Sequence, residues 1–189
     1  MRQLARPARR GLLVLHVVVS VGWLGLTLCL LVLAVAGATT GSAATAEAAY
    51  LSMRVFGDWL VTPLALLTLI SGLVLSLGTP WGLVRYRWVL TKFVLTLITA
   101  AASVFALRAG IDEAAGQVAA GEPVPDPAGL VVPPSVALAT YLFMTAISVL
   151  KPWGLTRWGR AARRAAARPG AAGARTGKPL AVSAPRPPL

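Results

Sequence analysis

The stretch LLVLHVVVSVGWLGLTL (residues 12–28) carries no Lys, Arg, Asp or Glu, and the sequence stays apolar from there to residue 37. A helix needs roughly 20 such residues to cross about 30 Å of hydrocarbon, so this run is long enough to span a bilayer. Inside it sits His16, the only histidine of the chain. An ionisable group at membrane depth is costly unless it faces a bundle interior or finds a partner.

Three more charge-poor runs follow, at residues 59–84, 88–107 and 134–150. The predicted spans are about 11–37, 57–79, 87–109 and 132–151. With 57% hydrophobic and 13% charged residues in 189, the chain is too apolar for a soluble domain of that size. The expected fold is an all-α, four-span transmembrane helix bundle over residues 11–158, between a basic N-terminus (1–10) and a basic, largely disordered tail (159–189). The first run is nearly twice the roughly 7–15 residues of a secretory signal core, so it reads as a span.

A net charge of +12 would suggest nucleic acid in a soluble protein, but the placement of the charges argues for a bilayer and against nucleic acid. Arg2, Arg6, Arg9 and Arg10 precede the first span, Arg85 and Arg87 separate the second from the third, and the remaining basic run extends from Lys151 to Arg186. The acids Glu47, Asp58, Asp112, Glu113, Glu122 and Asp126 fall in or beside the other two connections. The positive-inside rule then predicts a multi-pass protein of the cytoplasmic membrane with both termini cytoplasmic, a short cytoplasmic middle loop and two acidic outer loops. Arg54 and Asp58, four apart, are expected to pair on one helix.

In TRWGRAARRAAAR the residues Arg157, Arg160, Arg163, Arg164 and Arg168 fall close to one helical face, with Trp153 and Trp158 at its start. That suits a short basic helix lying on anionic inner-leaflet lipid. Cys29 is the lone cysteine, so no intramolecular disulfide forms, and it is expected to be a small buried apolar residue. Gly22 and Gly25 would admit a close neighbour helix, from the same chain or from a second copy in a homo-oligomer.

The second span ends in PWGLVR (80–85) and the fourth in PWGLTR (152–157), and LHVVVSV (15–21) superposes on TKFVLTL (91–97). Two parallel repeats of two helices would account for both matches. The superposition sets His16 on Lys92 and Ser20 on Thr96. At 1.5 Å per residue, His16 and Lys92 both lie roughly 6–9 Å inside the inner boundary. His16, Ser20 and Trp23 share one helical face, and Trp88, Lys92 and Thr96 share another. A plainer account has Lys92 snorkelling to the headgroups and His16 donating to a carbonyl or to Ser20. The chemical account makes the pair ligands: neutral imidazole is a common haem-iron ligand, and a neutral amine also offers a lone pair. Zinc and copper are served less well, with Met144 the only soft side chain at hand.

The pattern H-x6-W-x-G at His16, Trp23 and Gly25, together with W-x3-K at Trp88 and Lys92, resembles the signatures of a group of small bacterial membrane bundles. That group includes haem-binding membrane protoporphyrinogen oxidases and CopD-like copper-resistance proteins. Over about residues 11–158, particularly SVGWLG and SGLVLSLGTPWGLVRYRWVLTK, the chain is similar to a family of small bacterial integral membrane proteins without an assigned activity. The resemblance to the oxidases implies haem b as the candidate cofactor and His16 and Lys92 as its axial ligands, with Ser20, Trp23, Trp88 and Thr96 lining the site. No phosphate loop, nucleophile elbow or catalytic residue is found. The readings are a non-catalytic multi-pass membrane protein, a haem-binding redox protein with oxidoreductase activity if any, and a small transporter or copper-handling protein. The charge placement predicts that a reporter active only outside the cytoplasm stays silent when fused at Leu189 and works when inserted near Glu122. The reverse pattern would remove every depth assignment above.

Overall fold

The computed structural model describes residues 4–79 and 82–167. Its helices are α1 (Arg6–Thr39), α2 (Ala43–Phe56), α3 (Thr62–Leu77), α4 (Arg87–Ala101), α5 (Arg108–Ala119), α6 (Val132–Leu150) and α7 (Arg157–Ala166). One π-helical segment, Gly57–Val61, fuses α2 to α3, and another, Ala102–Leu107, fuses α4 to α5. Four rods long and apolar enough to cross a membrane result, of 34, 35, 33 and 23 residues. The fold is the expected all-α four-helix bundle. Its second and third rods run further than the predicted 57–79 and 87–109, because hydropathy marks only the part of a helix suited to hydrocarbon.

The rods run up and down around a ring. α1 packs on α3 and α6, and α4 packs on the same two, so α1 and α4 stand at opposite corners. Both described ends of the chain lie at one end of the bundle, the basic one. At 1.5 Å per residue the three long rods reach about 50 Å, well past the fourth. Their protruding acidic ends pack together around Leu30, Ala34, Tyr50, Met53 and Ile111, and Leu130 covers the side that α6 leaves open.

This extension changes the expected loops. Glu47, Asp58, Asp112 and Glu113 sit on helices, and only Glu122 and Asp126 lie in the connection between rods three and four. Arg54 and Asp58 do not pair with each other. Asp58 accepts from Arg108 at 2.7 Å, and Arg54 reaches Asp112 at 3.6 Å, so both bridges link α2 and its π segment to α5. The π segment at Gly57–Val61 ends two residues before Pro63. Proline has no N–H to donate and clashes with the carbonyl four residues back, and the wider turn relieves both.

Midway along the bundle a second packed layer forms around Trp23, Ala65, Ala100, Ala137, Tyr141 and Met144. The Trp23 and Tyr141 rings lie 4.8 Å apart at 44°. Cys29, expected inside, is exposed on the outer surface of α1. Gly22 meets only Leu64 at ordinary contact distance, and nothing lies within 4 Å of where a Cβ on Gly25 would stand.

At the basic end the segments after α3 and after α6 clasp one another. Tyr86 and Leu155 form an antiparallel bridge, with Thr156 N donating to Arg85 O at 3.0 Å and Arg87 N to Gly154 O at 3.3 Å. Thr156 also donates its hydroxyl to Val84 O and caps α7 by accepting from Gly159 N. The chain turns into this clasp at Lys151, which adopts left-handed backbone (φ 47°). Pro80 and Trp81 of the first repeat motif, and Arg168 with the rest of the tail, lie outside the described residues.

A Cβ on Gly37 would stand 2.7 Å from the buried Tyr50 ring, whereas Gly25 has open space. Gly37→Ala should therefore cost about 1–3 kcal/mol through forced repacking. Gly25→Ala should be neutral or stabilising, by up to about 1 kcal/mol of helix propensity. Thermal unfolding in detergent compares the two.

Candidate functional site

Between the basic end and the Trp23–Tyr141 layer the rods part around a cavity of about 420 Å³. That falls within the roughly 300–1,000 Å³ of small-molecule sites. His16 enters it from α1, and Trp88, Lys92 and Thr96 enter it from α4 at the opposite corner. Ser20 and Trp23 are not among its lining residues. Ser20 is half-buried on α1, and Trp23 belongs to the packed layer beyond. The even-numbered rods complete the wall with Thr68, Gly72 and Ser76 on α3 and Ser148 on α6.

Each ionisable group is held by a serine of the next rod. His16 Nδ1 lies 2.8 Å from Ser71 Oγ, so its partner is on α3, not Ser20 one turn up its own helix. Lys92 Nζ donates to Ser148 Oγ on α6 and does not extend alone to the bundle end. Both serines give their own hydrogen to their helix: Ser71 Oγ donates to Leu67 O at 2.6 Å, and Ser148 Oγ to Met144 O at 2.8 Å. A hydroxyl has one hydrogen and two lone pairs, so each serine is left as an acceptor. With the serine hydrogen so placed, His16 donates from Nδ1, the tautomer that puts its lone pair on Nε2. A ring nitrogen fixed by a hydrogen bond at the other nitrogen is the usual preparation of a metal-binding imidazole.

The wall is close-fitted behind the imidazole. A Cβ on Gly72 would stand 3.1 Å from His16 Cε1, so glycine there lets α3 approach the ring. Thr68 Oγ1 is buried on the cavity wall without a hydrogen-bond partner. Such an orphan costs about 1–3 kcal/mol unless something in the cavity answers it. Thr96 Oγ1 donates to Met144 Sδ at 3.5 Å, which engages the one soft side chain nearby. Among the described residues no three His, Cys, Asp or Glu side chains gather into a metal-binding group.

Sequence reasoning missed the α3 and α6 contributions. Thr68, Gly72 and Ser76 recur at i, i+4 and i+8, a small-polar stripe along an apolar helix that signals an inward face. No family model matches the chain, and no curated protein or solved structure matches it either.

Because the chain has one histidine, ¹⁵N-histidine labelling gives a single imidazole to observe. The Nδ1-protonated tautomer should dominate in the native protein. Ser71→Ala should mix the tautomers and lower stability by about 1–3 kcal/mol, the cost of an unanswered buried donor.

Proposed function

We propose that this is a haem-binding protein of the cytoplasmic membrane, with His16 and Lys92 as the axial ligands. The observation that carries the reading is that these two residues, on rods at opposite corners, line one cavity and are each steered by an acceptor serine. The fit extends to the rest of the wall. Leu13, Leu69, Leu75, Val89 and Phe93 offer apolar sides, and Trp88 lines it too. An imidazole and an amine suit iron in a porphyrin better than copper or zinc, which need more thiolate, thioether or imidazole than this site supplies.

Haem held there would supply one-electron transfer. The chain's own part is to fix the imidazole tautomer through Ser71, to position the amine through Ser148, and to exclude water with the Trp23–Tyr141 layer. No side chain in the cavity is placed as a general base with a substrate-orienting partner, which favours electron transfer or haem carriage over oxidase chemistry. The repeat relation supports the same arrangement, since each hairpin pairs the ionisable residue of its first rod with a serine of its second.

Purified protein should show a low-spin Soret band that survives washing. His16→Ala and Lys92→Ala should each abolish that band while insertion levels stay normal. A band unchanged in either variant removes that residue as a ligand.

A further inference from the structure

Helix α7 is seated against the basic end of the bundle, outside the cavity. The segment that leads into it carries Trp153, whose ring lies 6.5 Å from that of Phe143 on the exposed flank of α6. A tryptophan laid against the apolar flank of a span marks the membrane–water interface. Three residues on, the clasp takes hold of the first turn of α7. Thr156 caps it, and Gly159 is buried so closely that a Cβ there would collide with the Arg85 carbonyl. The basic helix is therefore fixed in place at headgroup level.

Away from Gly159, Arg157, Arg160 and Arg164 follow one another at i, i+3 and i+7 and line an open concavity floored by Ala161 and Ala165. About 10 Å of helix axis separates the first from the last. Arg163 does not line it. Arg157 lies over the Trp158 ring at 4.6 Å, and Arg160 donates to Leu155 O at 2.9 Å, so two of the three guanidinium groups are held in position. A guanidinium has five N–H donors, and one such bond leaves most of Arg160 for a ligand. Two observations call for an anion there. Arg157 and Arg160 stand among the first four residues of α7 with no acid beside them, where the positive end of the helix dipole opposes cations. The chain has no acidic side chain to answer them, because all six lie between Glu47 and Asp126 and belong to the other end of the bundle. Among the described residues both ion pairs are made at that end.

We propose that the row Arg157, Arg160 and Arg164 is a binding site for the phosphate of an acidic phospholipid in the adjoining leaflet. The guanidinium forks match phosphate oxygens two at a time, and the alanine floor leaves room for the glycerol carbons beneath. The site is independent of what fills the cavity. It differs from a diffuse basic tail in that three named arginines carry it and their neighbour Arg163 does not.

The full chain is reconstituted in nanodiscs of equal phosphatidylglycerol and phosphatidylcholine, and the lipid it retains on release is identified by native mass spectrometry. The native protein should keep phosphatidylglycerol over phosphatidylcholine by about tenfold, since each cation at an anionic headgroup contributes several-fold. Arg157→Gln with Arg160→Gln and Arg164→Gln should bring the ratio below about threefold, with the Thr156 and Gly159 contacts that seat the helix untouched. Arg164→Gln alone should lower it by about half or more, whereas Arg163→Gln, equal in charge, should leave it unchanged. Equal retention of the two lipids by the native protein overturns the proposal, as does a preference that survives in the triple variant. So does an Arg163→Gln loss as large as that of Arg164→Gln, which would mean diffuse attraction. Displacement of the lipid by millimolar inorganic phosphate would assign the row to a soluble anion and overturn the lipid assignment.

Discussion

Hydrocarbon offers no partner to a polar group, and the architecture follows from that single denial. Backbone amides must be satisfied within a segment, so the apolar runs become helices. Several hydroxyls are satisfied the same way: Ser71, Thr99, Thr145 and Ser148 each donate to a carbonyl four residues earlier. That habit has a useful by-product. A serine that has spent its proton on its own helix presents only lone pairs, and such a lone pair fixes His16 and receives Lys92. The candidate site is therefore an outgrowth of ordinary membrane-helix chemistry placed at two facing positions.

The bundle divides its labour along its length. Its acidic end is packed around Tyr50, Met53 and Ile111 and cross-tied by Asp58–Arg108 and Arg54–Asp112. The middle is sealed by Trp23 against Tyr141. The basic end opens into the chamber that His16 and Lys92 line. Rigid packing on one side of a cavity supports pre-formed geometry on the other, because the rods cannot shift there without breaking a close-packed layer.

How far the sequence reached can be judged residue by residue. The four rods were legible because hydropathy sums over many positions, and one misread residue hardly changes the total. His16 and Lys92 were legible as unusual because charge in an apolar run is rare. The reach of α2 and α5 beyond the hydrophobic runs was not legible: its stability comes from Tyr50 and Ile111 meeting across helices, which no local window records. Arg54 was assigned to Asp58 because spacing on one helix favours it, whereas the π-helical segments reset the register and gave each residue a partner on the neighbouring rod. Cys29 shows the same limit. Being small and apolar says nothing about which face of α1 it occupies. Ser71 was passed over because serine in a membrane helix is common, and its role depends on a neighbour 55 residues away.

The partner choices of His16 and Lys92 bear on how such a chain can be assembled. Each finds its serine inside its own hairpin, on the very next rod. Neither hairpin has to wait for the other before its costly residue is answered, so each can leave the insertion machinery as a self-sufficient pair of rods. The clasp between residues 82–87 and 154–156 can close only after the second hairpin has arrived. Each costly residue is thus answered within its own half, whereas the clasp and the cavity both require the two halves together.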